Sequence, residues 1–369
     1  MATTSQSPQP LVYLLCFSSF TFVVVLGQRE VPSALASLSN VTDQFALLSF
    51  KSLVTRDPYN VVIALNMSKK ELEGTISPYI SNLSFLYDLD LSNDSFHGHL
   101  LVDFSCLPLL KKLSIRKNHF EGSIPQTLSH CRGLQILLAP DSQFYGSFPK
   151  SLGSLSELKY LNISGNRLTG TIPVALANVT KLKRFNIGEN QIQGNIPPEL
   201  GSLTHLTAFS MQINNLTGTL PESLFNLSAL SGLIFMTNQL IGHLPKNAGR
   251  FLPNLEQLYM AANNFDGTLR ASLSNATRLQ VLTAESNKFS GLMPLELGSL
   301  SQLRRLYLGR STFTNVSGSC KLSILASLTR CRMLEEVDLS HNFLNGILPA
   351  SIGNLTTTLS TLDLSSNQI

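Results

Sequence analysis

The seven histidines and five cysteines are the residues with which this 369-residue chain could perform metal or nucleophilic chemistry. No pair of them has the short spacing of a zinc or redox site, and no Gly-x-Ser-x-Gly nucleophile elbow or kinase motif occurs. The sequence therefore predicts a protein that is not an enzyme, without catalytic residues, a metal or a cofactor. The histidines stand at unrelated positions: His97, His99, His119, His130, His205, His243 and His341.

An asparagine recurs along the chain in steps of 24 residues, apart from steps of 25 into Asn263, 31 into Asn342 and 25 into Asn367. An amide side chain both donates and accepts hydrogen bonds, so it can satisfy backbone groups at a buried bend. The spacing predicts thirteen rungs, the last one incomplete. The repeated position is occupied by Lys70, Asp94, Asn118, Ser142, Asn166, Asn190, Asn214, Asn238, Asn263, Asn287, Ser311, Asn342 and Asn367.

The residues before each asparagine alternate between apolar and polar. Leu161 and Ile163 alternate with Tyr160, Asn162 and Ser164, which is the period-2 pattern of a short strand. A single rung cannot offset the entropy of ordering its backbone, because its apolar residues are buried only between stacked neighbours. The pattern predicts a parallel stack with the apolar pair inside and the polar residues on a concave face.

The segments after the asparagines resemble the plant-specific leucine-rich repeat. They read LTGTIP (168–173), IQGNIP (192–197) and LTGTLP (216–221). The resemblance covers residues 61–369. It implies an α/β-repeat solenoid of about 13 rungs, a right-handed superhelix with a parallel concave sheet and a second sheet on its flank.

A narrower resemblance concerns plant receptor-like kinases. TDQFALLSFKSLVTRDP (42–58) resembles their N-terminal cap helix, and residues 327–355 resemble the subfamily of the flagellin and elongation-factor immune receptors. The resemblance implies an ectodomain that recognises a peptide or protein ligand, with a co-receptor kinase as a further partner. The chain departs from that family in having no Trp-rich, disulfide-bonded cap segment and no kinase motif.

The N-terminal residues predict entry into the secretory pathway. Leu11 to Leu26 is an apolar run followed by Gly27, as in a signal peptide. We therefore expect a signal peptide at 1–27, a leader and shortened cap helix at 28–60, and repeats at 61–369, with an extracellular or plasma-membrane location. Membrane contact is expected only through a C-terminal segment beyond the chain or an uncleaved signal. Eleven Asn-x-Ser/Thr sequons are candidate glycosylation sites: Asn40, Asn66, Asn82, Asn93, Asn162, Asn178, Asn215, Asn226, Asn275, Asn315 and Asn354.

Composition and the remaining cysteines agree with this interpretation. The net charge is +4 and dispersed, which does not favour nucleic-acid binding. Cys131 and Cys331 stand where other rungs have leucine, which favours buried thiols. Disulfides between Cys106 and Cys131, or between Cys320 and Cys331, remain alternatives.

A glycan on Asn162 would block the concave face of rungs five and six, so either Asn162 is unglycosylated or the ligand binds elsewhere. We expect binding on the concave face of rungs seven to eleven. Aromatic and Met side chains in a polar field are typical interface anchors, although they could also pack on one another without a ligand. The secreted inhibitors of cell-wall-degrading enzymes and a non-functional receptor fragment are the alternative functions. The predicted ligand-binding residues are Gln212, Ile234, Met236, Gln257, Tyr259, Thr283, Glu285, Arg305 and Tyr307.

Overall fold

The computed structural model describes residues 11–17, 20–26, 62–315 and 322–369, with side chains from residue 64 onward. The chain forms two compact units, Met1–Leu168 (unit 1) and Thr169–Ile369 (unit 2). The predicted cap helix and Cys320 lie outside the described residues, as does Asn40. The signal peptide stays a prediction.

Unit 1 contains a main sheet and two small sheets on its flank. In the main sheet, the first three strands are antiparallel neighbours and the later ones are parallel. Its strands are β1 (Leu11–Phe17), β2 (Phe20–Leu26), β3 (Val62–Asn66), β5 (Asp88–Asp90), β7 (Lys112–Ser114), β9 (Ile136–Leu138) and β11 (Tyr160–Asn162). One flank sheet is β4 (Glu73–Gly74), β6 (Ser95–His99) and β8 (His119–Glu121), and the other is β10 (Tyr145–Ser147) and β12 (Arg167–Thr169). The 3-10 helices are Pro78–Asn82, Phe104–Cys106, Gln126–His130 and Lys150–Ser154.

Unit 2 repeats this arrangement with a fully parallel main sheet. Its strands are β13 (Arg184–Asn186), β15 (Ala208–Ser210), β17 (Gly232–Ile234), β19 (Gln257–Tyr259), β21 (Val281–Thr283), β23 (Arg305–Tyr307), β25 (Glu336–Asp338) and β26 (Thr361–Asp363). The flank carries β14 (Gln193–Gly194), β16 (Asn215–Leu216), β18 (Ile241–Gly242), β20 (Asn264–Gly267), β22 (Lys288–Leu292) and β24 (Thr312–Thr314). The 3-10 helices are Val174–Asn178, Pro198–Ser202, Glu222–Asn226, Ala271–Asn275, Leu295–Ser299 and Ala350–Asn354, and the α-helix α1 is Ser323–Leu328.

These units confirm the predicted leucine-rich-repeat solenoid, and the predicted second sheet on the flank is divided into small sheets of two to four strands. The thirteen predicted rungs correspond to five parallel-sheet strands in unit 1, from β3 onward, and eight in unit 2. The prediction that the apolar residues of each strand point into the solenoid is also confirmed, since Leu161 and Ile163 are buried. In most rungs, a five-residue 3-10 helix that follows a proline connects the flank to the next strand of the main sheet. A rung of about 24 residues leaves few residues for this connection, and a 3-10 helix is a short element that fits it.

The repeated asparagines bond the backbone of neighbouring rungs, as predicted. Asn287 is buried, and its Oδ1 accepts a hydrogen bond from the Phe265 N–H at 3.1 Å. Its Nδ2 donates to the carbonyls of Met260 and Ala284, both at 3.0 Å. The side chain therefore replaces the backbone partners that a bend removes from buried groups.

Stacked phenylalanines form part of the core behind the flank sheets, a feature that the repeat analysis did not predict. In unit 1, the ring centroids of Phe96 and Phe120 are 6.2 Å apart. In unit 2, Phe265, Phe289 and Phe313 stack with centroids 6.2 Å apart at each step. Offset stacking of this kind adds stabilisation to the burial of the rings.

Cys106, Cys131 and Cys331 are free thiols. Cys131 and Cys331 are buried, as their leucine-like positions predicted, and burial raises the pKa of the Cys131 thiol to about 12. Cys106 is exposed and unpaired, so the alternative of a Cys106–Cys131 disulfide is wrong. Cys331 is also unpaired.

Candidate ligand-binding face

The main sheet of unit 2 presents three columns of side chains on its outer side, which we call the concave face of unit 2. Each column holds one residue per rung, and parallel register places equivalent residues side by side. The first column is Arg184, Ala208, Gly232, Gln257, Val281, Arg305, Glu336 and Thr361. The middle column is Asn186, Ser210, Ile234, Tyr259, Thr283, Tyr307, Asp338 and Asp363. The third is Gly188, Gln212, Met236, Ala261, Glu285, Gly309, Ser340 and Ser365.

The nine predicted ligand-binding residues all belong to these columns. Gln257 and Arg305 are exposed, and most of the others are half-buried. Thr283 departs from the prediction of an accessible contact, because only 4% of it is exposed. It lies in register between Tyr259 and Tyr307, and flanking tyrosines on a sheet can cover a smaller residue.

The middle of the face carries apolar and aromatic side chains. Ile234 lies in register beside Tyr259, and Met236 follows two residues after Ile234 on the same face. All three are half-buried rather than covered. They therefore keep apolar surface available to a partner, within a surround of Gln212 and Gln257.

The cationic residue predicted for this face is already paired. Arg305 Nε lies 3.4 Å from Glu336 Oε1, and the Tyr307 hydroxyl donates a hydrogen bond to Glu336 Oε2. Burial, followed by this hydrogen bond and the charge of Glu336, raises the pKa of Tyr307 to about 12. The Glu336 carboxylate is thus satisfied within the protein.

Two glycines in the third column let neighbouring side chains lean sideways. A Cβ on Gly188 would lie 2.9 Å from Gln212 Cγ, and a Cβ on Gly309 would lie 2.8 Å from Asp338 Oδ1. Gln212 also donates to Glu189 Oε1 at 3.1 Å. Gly309 and Asp338 were not among the predicted ligand-binding residues. The sequence signal for them is the glycine itself, because a glycine within a column of larger side chains leaves room for a neighbour to lean over it.

Glu285 is the acidic group most affected by its surroundings on this face. Burial raises the pKa of its carboxyl above the ordinary value of 4.5, and the negative charge of Asp338 raises it further. Oε2 of Glu285 and Oγ1 of Thr283 are buried without a hydrogen-bond partner among the described residues. Glu285 follows the end of β21 by two residues, so both side chains lie on one face.

The sequons differ in accessibility, and their glycosylation remains a prediction. Half-buried asparagines are Asn93, Asn162 and Asn315, and the amide nitrogen of Asn93 is buried without a partner. Asn162 accepts hydrogen bonds from the backbone and hydroxyl of Ser164. The exposed asparagines are Asn66, Asn82, Asn178, Asn215, Asn226, Asn275 and Asn354.

A depression of about 410 Å³ lies on another side of unit 2, at the irregular eleventh rung. Its lining includes Arg270, Leu292, Glu296 and Asn315, and the chain continues from Asn315 into residues outside the described ranges. No group of three His, Cys, Asp or Glu side chains in the described part of the chain could hold a metal ion. No helix within the same residues is long and apolar enough to cross a bilayer.

Comparison with known proteins identifies the repeats and their structural relatives. The Leucine Rich Repeat family matches residues 109–131, 157–179, 181–203 and 333–355, and a related repeat model matches 357–369. Receptor kinase-like protein Xa21 of Oryza sativa subsp. japonica is 40% identical over 72 residues, which are 20% of this chain and 7% of that protein.

Two solved plant receptors have similar folds. The plant peptide hormone receptor RGFR1, solved in complex with RGF2, is 24% identical, with a TM-score of 0.76 over 82% of this chain and 51% of that chain. The Arabidopsis receptor kinase HAESA, solved with the peptide hormone IDA and the co-receptor SERK1, is 27% identical, with a TM-score of 0.73 over 83% of this chain and 54% of that chain. The matches thus span about half of each solved receptor chain. The chain folds as a leucine-rich-repeat solenoid that is similar in structure to the ectodomains of plant receptor kinases.

Proposed function

We propose that the concave face of unit 2 binds an extracellular peptide or protein, as the ligand-recognition surface of a plant receptor in immune or developmental signalling. The observation that carries this proposal is one continuous face on which half-buried apolar and aromatic side chains lie within a polar field. The solved structures that support it are the plant peptide hormone receptor RGFR1 in complex with RGF2 and HAESA in complex with the peptide hormone IDA. A co-receptor kinase is the second partner we propose, by analogy with the complex of HAESA and SERK1.

The physical reason for binding at the middle of the face is the release of water from rigid apolar groups. Tyr259 and Ile234 are held on adjacent parallel strands, so little ordering is needed when a ligand covers them. Tyrosines in such positions commonly contribute about 2 kcal/mol or more to binding. An extended peptide crossing several rungs would contact both residues at once.

The test is an unbiased selection of displayed random peptides on the full chain, secreted from plant cells. Selected peptides are then titrated against Tyr259→Ala/Met236→Ala and against a control variant. The control is Phe251→Ala/Leu295→Ala, which removes exposed apolar residues that lie outside the three columns.

We expect the concave variant to lose about 30-fold or more in affinity, the equivalent of about 2 kcal/mol, and the control to lose less than about threefold. Selection of no peptide at all would refute the proposed function. Equal losses in the two variants would place binding outside the concave face.

A further inference from the structure

Glu285 and Asp338 belong to rungs separated by one intervening rung, and that rung has Gly309 in the third column. Adjacent strands are about 4.8 Å apart, so the two rungs are about 10 Å apart. Asp338 leans across the intervening rung, since a Cβ on Gly309 would lie 2.8 Å from its Oδ1 and 2.9 Å from its Oδ2. A gap of about one strand spacing then remains between the two carboxylates.

This gap has the width that one nitrogen cation requires. A cation that donates hydrogen bonds of about 2.8 Å to an oxygen on each side spans about 5 to 6 Å between the two oxygens. The third column offers no competing side chain, because Glu285 has Ala261 on one side and Gly309 on the other. The site therefore accommodates a narrow charged group that enters from solvent.

Neither carboxylate is neutralised by a described residue. The neighbouring cation Arg305 is paired with Glu336, and the described salt bridges do not include Glu285 or Asp338. Asp338 Oδ1 accepts only the local N–H of Ser340, at 2.8 Å. The negative charge of the pair is therefore uncompensated and faces the ligand side of the sheet.

A second, independent feature points to a ligand at this place. Thr283 ends β21, lies on the same face as Glu285 two residues later, and is 4% exposed. Its Oγ1 has no hydrogen-bond partner among the described residues. Glu285 Oε2 is likewise buried and unpartnered. Unsatisfied buried polar atoms are uncommon in native proteins, and a binding group that pairs with such an atom supplies the hydrogen bond that the protein leaves unmade.

We infer that the cleft between Glu285 and Asp338, which has Gly309 at its base and Thr283 beside it, binds a positively charged side chain of the peptide ligand. An organic cation fits better than a metal ion, since no group of three carboxylate, His or Cys ligands exists in the described chain. Tyr259 and Tyr307 flank Thr283, and their rings add an aromatic surface that favours arginine over lysine. This inference rests on the proposed function and specifies the chemistry of its ligand.

The experiment repeats the display selection on three forms of the full chain. The first is the natural chain and the second is Glu285→Gln/Asp338→Asn, which keeps the shapes and removes both charges. The third is Glu199→Gln/Glu222→Gln, which removes two exposed charges in the 3-10 helices of unit 2, away from the three columns. Thermal unfolding by circular dichroism verifies that each form is folded.

We expect peptides selected on the natural chain and on the control to share an Arg or Lys at one position. Replacing that residue by Gln should weaken binding about 10- to 100-fold on the natural chain and less than about threefold on Glu285→Gln/Asp338→Asn. Gly309→Ala should weaken the same peptides on a chain that keeps both charges, because the added Cβ displaces the Asp338 carboxylate.

Two results would overturn the inference in different ways. The cation cleft would be refuted, while peptide recognition stands, if the selected peptides bind without a shared basic residue. It would also be refuted if selection on Glu285→Gln/Asp338→Asn yields the same basic residue as often as selection on the natural chain. Failure of all three forms to select any peptide would refute the proposed function, and the cleft with it.

Discussion

The contribution of the repeated asparagine can be measured at Asn287 in the middle of unit 2. In Asn287→Ala, the buried Phe265 N–H and the Ala284 carbonyl lose hydrogen bonds of 3.1 Å and 3.0 Å. The Met260 carbonyl keeps a bond from Asn263 Nδ2 at 3.2 Å. Leaving a buried polar group unsatisfied costs about 1–3 kcal/mol, so two such groups cost about 2–6 kcal/mol. Because whole domains have about 5–15 kcal/mol of stability, we expect this single change to unfold a substantial part of the unit.

The assay is urea unfolding of the full chain, which is produced without glycans. Unfolding is monitored by far-UV circular dichroism. The matched control is Asn275→Ala, because Asn275 is exposed at the end of a 3-10 helix. We expect the control to change the free energy of unfolding by less than about 0.5 kcal/mol. Hydrogen exchange should show the Phe265 amide losing protection. A free energy for Asn287→Ala within about 0.5 kcal/mol of the control would refute the role of the asparagine in satisfying neighbouring rungs.

Three further predictions follow from single residues. Ile213 has a φ of 51°, and a side chain with a Cβ in this left-handed conformation costs about 1–2 kcal/mol. Ile213→Gly should therefore be more stable than Ile213→Ala by about 1 kcal/mol in thermal unfolding. The reverse order of stability would contradict this prediction. Burial raises the pKa of Glu285, so its negative charge opposes folding at pH values above that pKa. Glu285→Gln should therefore raise the free energy of unfolding at pH 7, and this gain should shrink as the pH falls towards 4.5. A gain that is the same at every pH would contradict the reasoning. Iodoacetamide should modify exposed Cys106 in the folded protein but modify Cys131, with its thiol pKa of about 12, only in urea; peptide mapping would show equal modification if this were wrong.

Much of the fold was predictable because its information is local. The alternation around Leu161 and Ile163 determines which side chains are buried, and the recurring asparagine gives the length of each rung. The same alternation assigned Ile234, Tyr259 and Glu285 to one face, since side chains on a strand alternate sides whatever their neighbours. The left-handed conformation at Ile213 was not predictable from its residue type, because a β-branched residue rarely adopts it.

The sequence alone thus determined the repeat, the inward and outward residues and the columns of the concave face. Only the tertiary structure decided how those outward residues interact: Arg305 pairs with Glu336, Thr283 is covered, and Asp338 leans over Gly309. The physical reason is that these contacts join residues from different rungs, whose side-chain directions depend on the room that each neighbour leaves. Periodicity fixes a residue's column, but the pairing of charges across columns exists only once the rungs are stacked.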